Sequence, residues 1–305
     1  MTRQRRFAQR WTDFWFGKQP TLVLAIVRIA TGCALLLTRS RVYGILSRGA
    51  DPARLPIDQF HLAASYHIDP QLYVLPYVSW LVVPSYTIHA ALETALFVCV
   101  FASTIGLLTR LTTASACLII ASLFFSSQLY YHHHLYLYLL CFGLLAISPC
   151  GEQLSVDRWR KGAGATPVTM TRHPAVRLFQ VLVSCIYLFN AISKTTPEWF
   201  SGRVIEHLLA LQTIQGHLME GAVGALPSWL LGSGVVATEY FLAVGFWWPR
   251  TRLLAVALGV ALHLGIMSAM YVSSFSVQML SLYVFFFFRP GMPTRAASPR
   301  LSRRA

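Results

Sequence analysis

Lys194 stands at the end of an apolar run, FQVLVSCIYLFNAISKTTPEWFSG, and is followed by Trp199 and Gly202 in a Lys-x4-Trp-x2-Gly spacing. An amine desolvated in a cavity suits proton abstraction, because burial disfavours its charged form and leaves a usable base near neutral pH. Other groups share this chemistry. His132, His133 and His134 open one apolar stretch, Glu239 lies near the middle of another and His263 about the middle of a third, while Glu198, His207 and His217 follow Lys194. Ionisable side chains within or beside such stretches are costly and usually face a bundle interior or a cavity. Each also has an ordinary reading. A lysine at a helix end snorkels its ammonium to the headgroup region, Glu239 and His263 suit buried interhelical hydrogen bonds, and the histidine triplet suits a polar helix start. Neighbours on a helix point about 100° apart, so the triplet is a poor metal site by itself and no metal is expected.

The elements that position these groups follow from composition. The 305 residues are 55% hydrophobic and 12% charged, with a mean hydropathy of +0.55, far from a soluble domain. Apolar stretches at 20–38, 84–108, 110–130, 134–149, 175–194, 225–247, 252–270 and 274–288 approach the ~20 residues that cross ~30 Å of hydrocarbon. The expected fold is all-α: a polytopic transmembrane helical bundle of about eight spans with no separate soluble domain. Residues 1–290 form the membrane domain and 291–305 a basic, disordered cytoplasmic tail. The first stretch lacks a small-residue cleavage site and is followed by Arg39 and Arg41, so it is expected to be a retained span.

The 25 Lys+Arg against 11 Asp+Glu fall largely in alternate connections. Arg3, Arg5, Arg6, Arg10, Arg110, Arg158, Arg160, Lys161, Arg172, Arg250, Arg252 and the arginines of the tail share one side of an eight-span arrangement, which makes both termini cytoplasmic. Segment 39–83 then lies outside, and its Tyr73, Tyr77 and Trp80 mark it as partly interfacial. The basic excess reads as topology signal plus attraction to anionic lipid, so membrane lipids are the expected partners. Nucleic acid is not, because the basic residues flank spans instead of forming one basic face. Five of the six cysteines lie in apolar stretches as small hydrophobes, and Cys150 is expected in a reducing cytoplasm without a disulfide. On this topology Lys194 and the histidine triplet share the extracytoplasmic half, as a single pocket opening outward requires.

Several segments together resemble the HTTM domain, the membrane part of vitamin K-dependent gamma-carboxylase and its bacterial relatives. They are the opening RWTDFWFGKQPTLVLAIVRIATGCALLL, GLLTR at 106–110, HHHLYLYLLCFGLLAISPCGEQLSVDRW at 132–159, RLFQVLVSCIYLFNAISKTTPEWFSG at 177–202, and TEYFLAVGFWWPRTRLLAVALGVALHLGIMSAM at 238–270. The carboxylase carries a Lys-Lys pair in the fourth segment, then a Trp five residues after the second lysine and a Gly three after that. Lys194, Trp199 and Gly202 keep those distances, with Ser193 in place of the first lysine.

The resemblance implies that Lys194 is the base that deprotonates a reduced, vitamin K hydroquinone-like quinone. In the carboxylase the oxygenated quinone then removes a proton from the gamma carbon of a peptidyl glutamate, to which carbon dioxide adds. A histidine in an Asn-His-x-Tyr-Leu-Tyr motif supports that step; His134, Tyr136, Leu137 and Tyr138 align with it, and His133 takes the asparagine position. His263 is similar to a histidine of a later family helix and Glu239 to a shared HTTM acid. The implied site has Lys194, His134, His263 and Glu239 as catalytic residues and Trp199, Tyr136 and Tyr138 at the quinone. The carboxylase continues into a large soluble domain that binds the propeptide of its substrate. No counterpart is expected here, so the implied acceptor is a lipid or small peptide in a bacterial inner membrane. SdpB-type short relatives assist maturation of a secreted toxin peptide, which makes a non-catalytic partner in peptide maturation or export the alternative.

Overall fold

A computed structural model of the chain describes residues 3–39, 86–126, 133–162, 168–210, 225–269 and 273–287. His132, His217, the tail 291–305 and all but the first residue of the expected loop 39–83 lie outside the described residues. The helices are α1 (Arg3–Phe16), α2 (Thr21–Arg39), α3 (Tyr86–Ile105), α4 (Thr109–Ser126), α5 (His133–Ile147), α6 (Val156–Arg160), α7 (Ala175–Lys194), α8 (Pro197–Phe200), α9 (Arg203–Ala210), α10 (Ser228–Gly245), α11 (Arg252–Ala269) and α12 (Ser273–Leu282), the last running into a 3-10 turn at Tyr283–Phe286. A two-residue antiparallel pairing of β1 (Gln19–Pro20) with β2 (Met170–Thr171) is the one strand pairing among the described residues of an all-α fold.

Each of the eight apolar stretches contains a helix, and 175–194 coincides with α7 end to end. Helices α4 and α7 are long and apolar enough to cross a membrane, whereas the apolar parts of α2, α3, α5, α11 and α12 with its 3-10 turn are shorter. Arg3–Phe16, read from sequence only as a basic approach to the first span, forms a helix of its own. Its Phe7 and Trp11 are exposed, and its far end is fixed where the Arg177 guanidinium lies over the Phe14 ring and donates to the Phe14 carbonyl at 3.0 Å.

The helices pack around two apolar cores that meet at α2 and α5. One joins α7, α10, α12 and the 3-10 turn to Val23, Leu24 and Val27 of α2 and to Leu137, Cys141 and Leu145 of α5. The other joins α3 and α4 to Ala34, Leu35, Leu135, Tyr138 and Phe142. Helix α7 shows how the pattern places the chemistry. Its buried residues Val176, Phe179, Gln180, Val183, Tyr187 and Ala191 recur at three- and four-residue intervals, a single stripe facing the core. That stripe continues, three residues beyond Ala191, to Lys194.

At the opposite end of α7, the two quoted segments GLLTR and SPCGEQLSVDRW are bonded to each other. Asp157 accepts from the Leu108 amide at 2.8 Å and from the Thr109 amide and hydroxyl at 2.7 Å each, so a side chain 48 residues away in sequence caps the start of α4. Its own amide donates to the Gly106 carbonyl at 2.9 Å. The fully buried Arg28 of α2 donates to the carbonyls of Cys150, at 2.6 Å, and Leu154. These bonds spend the orphan backbone groups of three chain turns on one another.

Candidate functional site

Lys194 meets Glu239 where α7 packs against α10. Its Nζ donates to Glu239 Oε1 at 2.5 Å, and the side chains are 24% and 4% exposed respectively. Glu239 Oε2 is buried and accepts no hydrogen bond among the described residues. The Trp199 ring centroid lies 5.6 Å from Lys194 Nζ, within cation–π range.

The chain after Lys194 is folded tightly to bring Trp199 there. Pro197 begins α8, a position where its missing amide costs nothing. Gly202 ends that turn at φ +82°, in the left-handed region that glycine enters without steric cost. A Cβ on Gly202 would collide with the Ser228 carbonyl carbon and the Trp229 amide, and one on Gly232 would collide with the Trp199 carbonyl oxygen. Two glycines, one on each side, therefore let the Trp199 turn lie directly on the first turn of α10. The Lys-x4-Trp-x2-Gly spacing has this physical content: the helix end, the ring over the amine, and the turn that fixes both.

Next to the ion pair lies a second polar group in the apolar core. Tyr187 sits two helical turns below Lys194 on the same face of α7. Its hydroxyl is within hydrogen-bond distance of the Tyr283 hydroxyl and 2.7 Å from His263 Nε2, whose Nδ1 lies 3.2 Å from Ser276 Oγ. All four residues are buried. The network draws on α7, α11, α12 and the 3-10 turn, and it satisfies in the core polar atoms that would otherwise each cost about 1–3 kcal/mol. Glu239 lies within electrostatic range of Tyr187, and Lys194 within that of His263, so the two groups influence one another across the core.

The other sequence-derived candidates stand elsewhere. Tyr136 is 46% exposed and stacks on Phe124, while Tyr138 is 1% exposed in the core of α3, α4 and α5. Two residues apart on a helix, they point to different faces. His134 opens the same helix, half-buried; among the described contacts those of Lys194 run to Glu239 and Trp199 and not to His134. No group of three or more His, Cys, Asp or Glu gathers as a metal site among the described residues.

Tyr187 and Tyr283 of this network went unread in the sequence, as did Arg28, which lies outside it and holds the Cys150 and Leu154 carbonyls. Tyr187 and Tyr283 are hydroxyls hidden in aromatic-rich helices, and nothing in the sequence separates them from ordinary core residues. Arg28 carried a readable signal, a full charge in the middle of an apolar run.

The sequence matches the profile of the HTTM domain over residues 54–290, more than three quarters of the chain. No curated protein and no solved structure matches it. The chain belongs to the HTTM domain family, a family of membrane domains associated with vitamin K-dependent carboxylase.

Proposed function

We propose that this HTTM protein is a membrane enzyme that binds a reduced, vitamin K hydroquinone-like quinone at the Lys194–Glu239 pair and uses it with oxygen to modify a lipid or small peptide. The observation that carries this reading is the buried Glu239 Oε2, left without a donor while Oε1 holds Lys194. A carboxylate oxygen in that state is a ready acceptor for an incoming hydroxyl, since buried polar atoms otherwise find partners. A hydroquinone O–H fits it, and the Trp199 face beside Lys194 fits a flat ring. The partial exposure of Lys194 leaves an approach to the pair.

When bound, a reduced quinone supplies a weakly acidic O–H and the electrons that oxygen takes up. Glu239 orients that O–H through Oε2. Lys194 Nζ donates to Glu239 Oε1 at 2.5 Å, and transfer of that proton to Glu239 when the hydroquinone binds would leave Lys194 as the amine that accepts the hydroquinone proton. In this reading the protein lies in a bacterial inner membrane with both termini cytoplasmic, and the site opens to the outer half of the bilayer.

The test is oxygen uptake by the protein reconstituted in vesicles with added vitamin K hydroquinone. Lys194→Ala should remain folded and inserted yet lose oxygen-dependent hydroquinone turnover. Undiminished turnover in that variant overturns the proposal. The same short ion pair favours a second reading, because a lysine already neutralised by Glu239 also serves as a clamp between α7 and α10. The protein then assists maturation or export of a small secreted peptide, in the manner of SdpB-type relatives. That reading predicts no hydroquinone turnover in the wild type and co-purification of a small secreted peptide or its exporter.

A further inference from the structure

The knot between the Gly106–Thr109 turn and the 148–161 segment walls an open basin of about 750 Å3, with Lys194 and Glu239 absent from its lining. Its lining includes Arg110, Arg160, Lys161, Glu152, Leu108 and Leu111. The charges do not cancel. Lys161 pairs with Glu152 at 3.3 Å, and both oxygens of Asp157, which also lines the basin, are taken by the Leu108 and Thr109 donors. The guanidinium groups of Arg110 and Arg160 make no hydrogen bond or ion pair among the described residues, and both side chains are exposed. Arg110, Arg160 and Lys161 outnumber Glu152 and Asp157 in the lining, so the basin keeps a net positive charge.

The wall beside them is apolar and equally exposed. Leu108 and Leu111 line the basin in the open, and Leu118 continues the exposed face two turns further along α4. Seven residues at about 1.5 Å each carry that face about 10 Å from the basin, along a helix long and apolar enough to cross a membrane. Leu108 is held at φ +46°, a left-handed conformation uncommon for a non-glycine residue, by the bond from its amide to Asp157. Backbone held in such a region persists only where surrounding contacts impose it. Here they fix an apolar side chain at the lip of a basic cavity.

We propose that this basin is a binding site for the headgroup phosphate of an anionic phospholipid, held by Arg110 and Arg160, with one acyl chain lying along Leu111 and Leu118. Guanidinium groups match phosphate oxygens in charge and geometry. The adjoining exposed leucines favour a lipid over a free anion, because only a lipid covers both surfaces at once. The site does not depend on the chemistry proposed for Lys194, which is not among its lining residues.

Native mass spectrometry of the full-length protein in detergent tests this, with phosphatidylglycerol and phosphatidylcholine of the same chain length added in equal amounts. Phosphatidylglycerol adducts should exceed phosphatidylcholine adducts, and Arg110→Gln with Arg160→Gln should lower them on the order of thirtyfold, given the usual contribution of each of two basic residues near an anionic lipid. Arg250→Gln, an exposed arginine outside the basin, should leave them unchanged. The charge-keeping pair Arg110→Lys and Arg160→Lys should retain most of the preference, which separates loss of charge from loss of fold. Equal retention of the two lipids overturns the proposal. So does wild-type retention in the double glutamine variant, or displacement by millimolar inorganic phosphate, which would mark a site for a free anion only.

Discussion

Lys194 and Glu239 join the last residue of α7 to the interior of α10 through a contact of 2.5 Å. Side chains on a helix tilt toward its N-terminus, so a lysine in the last turn leans back along its own helix rather than out past its end. In α7 that direction leads down the buried stripe to Glu239, and the ammonium is spent on a carboxylate instead of the headgroup layer. The last turn also favours a cation there, because helix carbonyls converge on it.

Removing either partner should cost more than removing both. Lys194→Ala leaves a carboxylate 4% exposed without its cation, a change that costs about 3 kcal/mol in comparable buried pairs. The combination Lys194→Met with Glu239→Leu restores apolar packing and should unfold at a higher temperature than Lys194→Ala alone. Thermal unfolding in detergent of the wild type, Lys194→Met, Glu239→Leu and the double variant measures this coupling. Strictly additive losses would mean that the two side chains do not act as a pair.

Gly202 and Gly162 offer a matched comparison, since both have positive φ, +82° and +80°. Among the described residues an added methyl at Gly162 meets nothing within 4 Å, whereas at Gly202 it meets the backbone of Ser228 and Trp229. Gly162→Ala should therefore cost only the conformational penalty of about 1 kcal/mol. Gly202→Ala should cost at least about 2 kcal/mol more, because α10 or the Trp199 turn must move. Comparable melting temperatures for the two variants would contradict the packing of that turn on α10.

Much of the fold was legible because apolar length is a local property: each of the eight stretches carries a helix, and α7 has the bounds read for 175–194. The Lys194–Trp199–Gly202 spacing was also local, and its turn follows from Pro197 and Gly202. The pairing of Lys194 with Glu239 spans 45 residues and depends on which helix packs beside α7, which no periodicity reports. Asp157 was hidden for the same reason, since it caps a helix that starts 48 residues earlier. Tyr136 and Tyr138 joined one site only through the resemblance; helical geometry sets them on different faces.

Tyr187 holds the second polar group together, because its hydroxyl touches both His263 and Tyr283. Tyr187→Phe keeps the ring in the core and removes only that oxygen. It should destabilise the protein by about 1–3 kcal/mol through the partners left behind. Adding His263→Phe should then cost less than His263→Phe does in the wild type, as the imidazole has already lost its Nε2 partner. A double-mutant cycle by thermal unfolding gives the sign; equal costs in both backgrounds would mean that the two rings are independent.

Asp157 should make the stability of the α4 cap depend on acidity. Burial alone raises its carboxyl, but hydrogen bonds from the Thr109 hydroxyl and from the Thr109 and Leu108 amides, with Arg160 nearby, outweigh it and hold the group below its ordinary value of 3.8. A carboxyl lowered in the folded state binds protons more readily when unfolded. Its contribution is therefore fully present above the ordinary value and is lost as the pH falls through the lowered one. Asp157→Asn should cost about 1 kcal/mol at neutral pH, the usual worth of a cap, and should remove part of the acid-induced loss of stability seen in the wild type. Thermal midpoints from pH 6 down to 3 should therefore converge for the two proteins as Asp157 takes up its proton. Parallel curves over that range would show that the Leu108 and Thr109 donors do not depend on its charge.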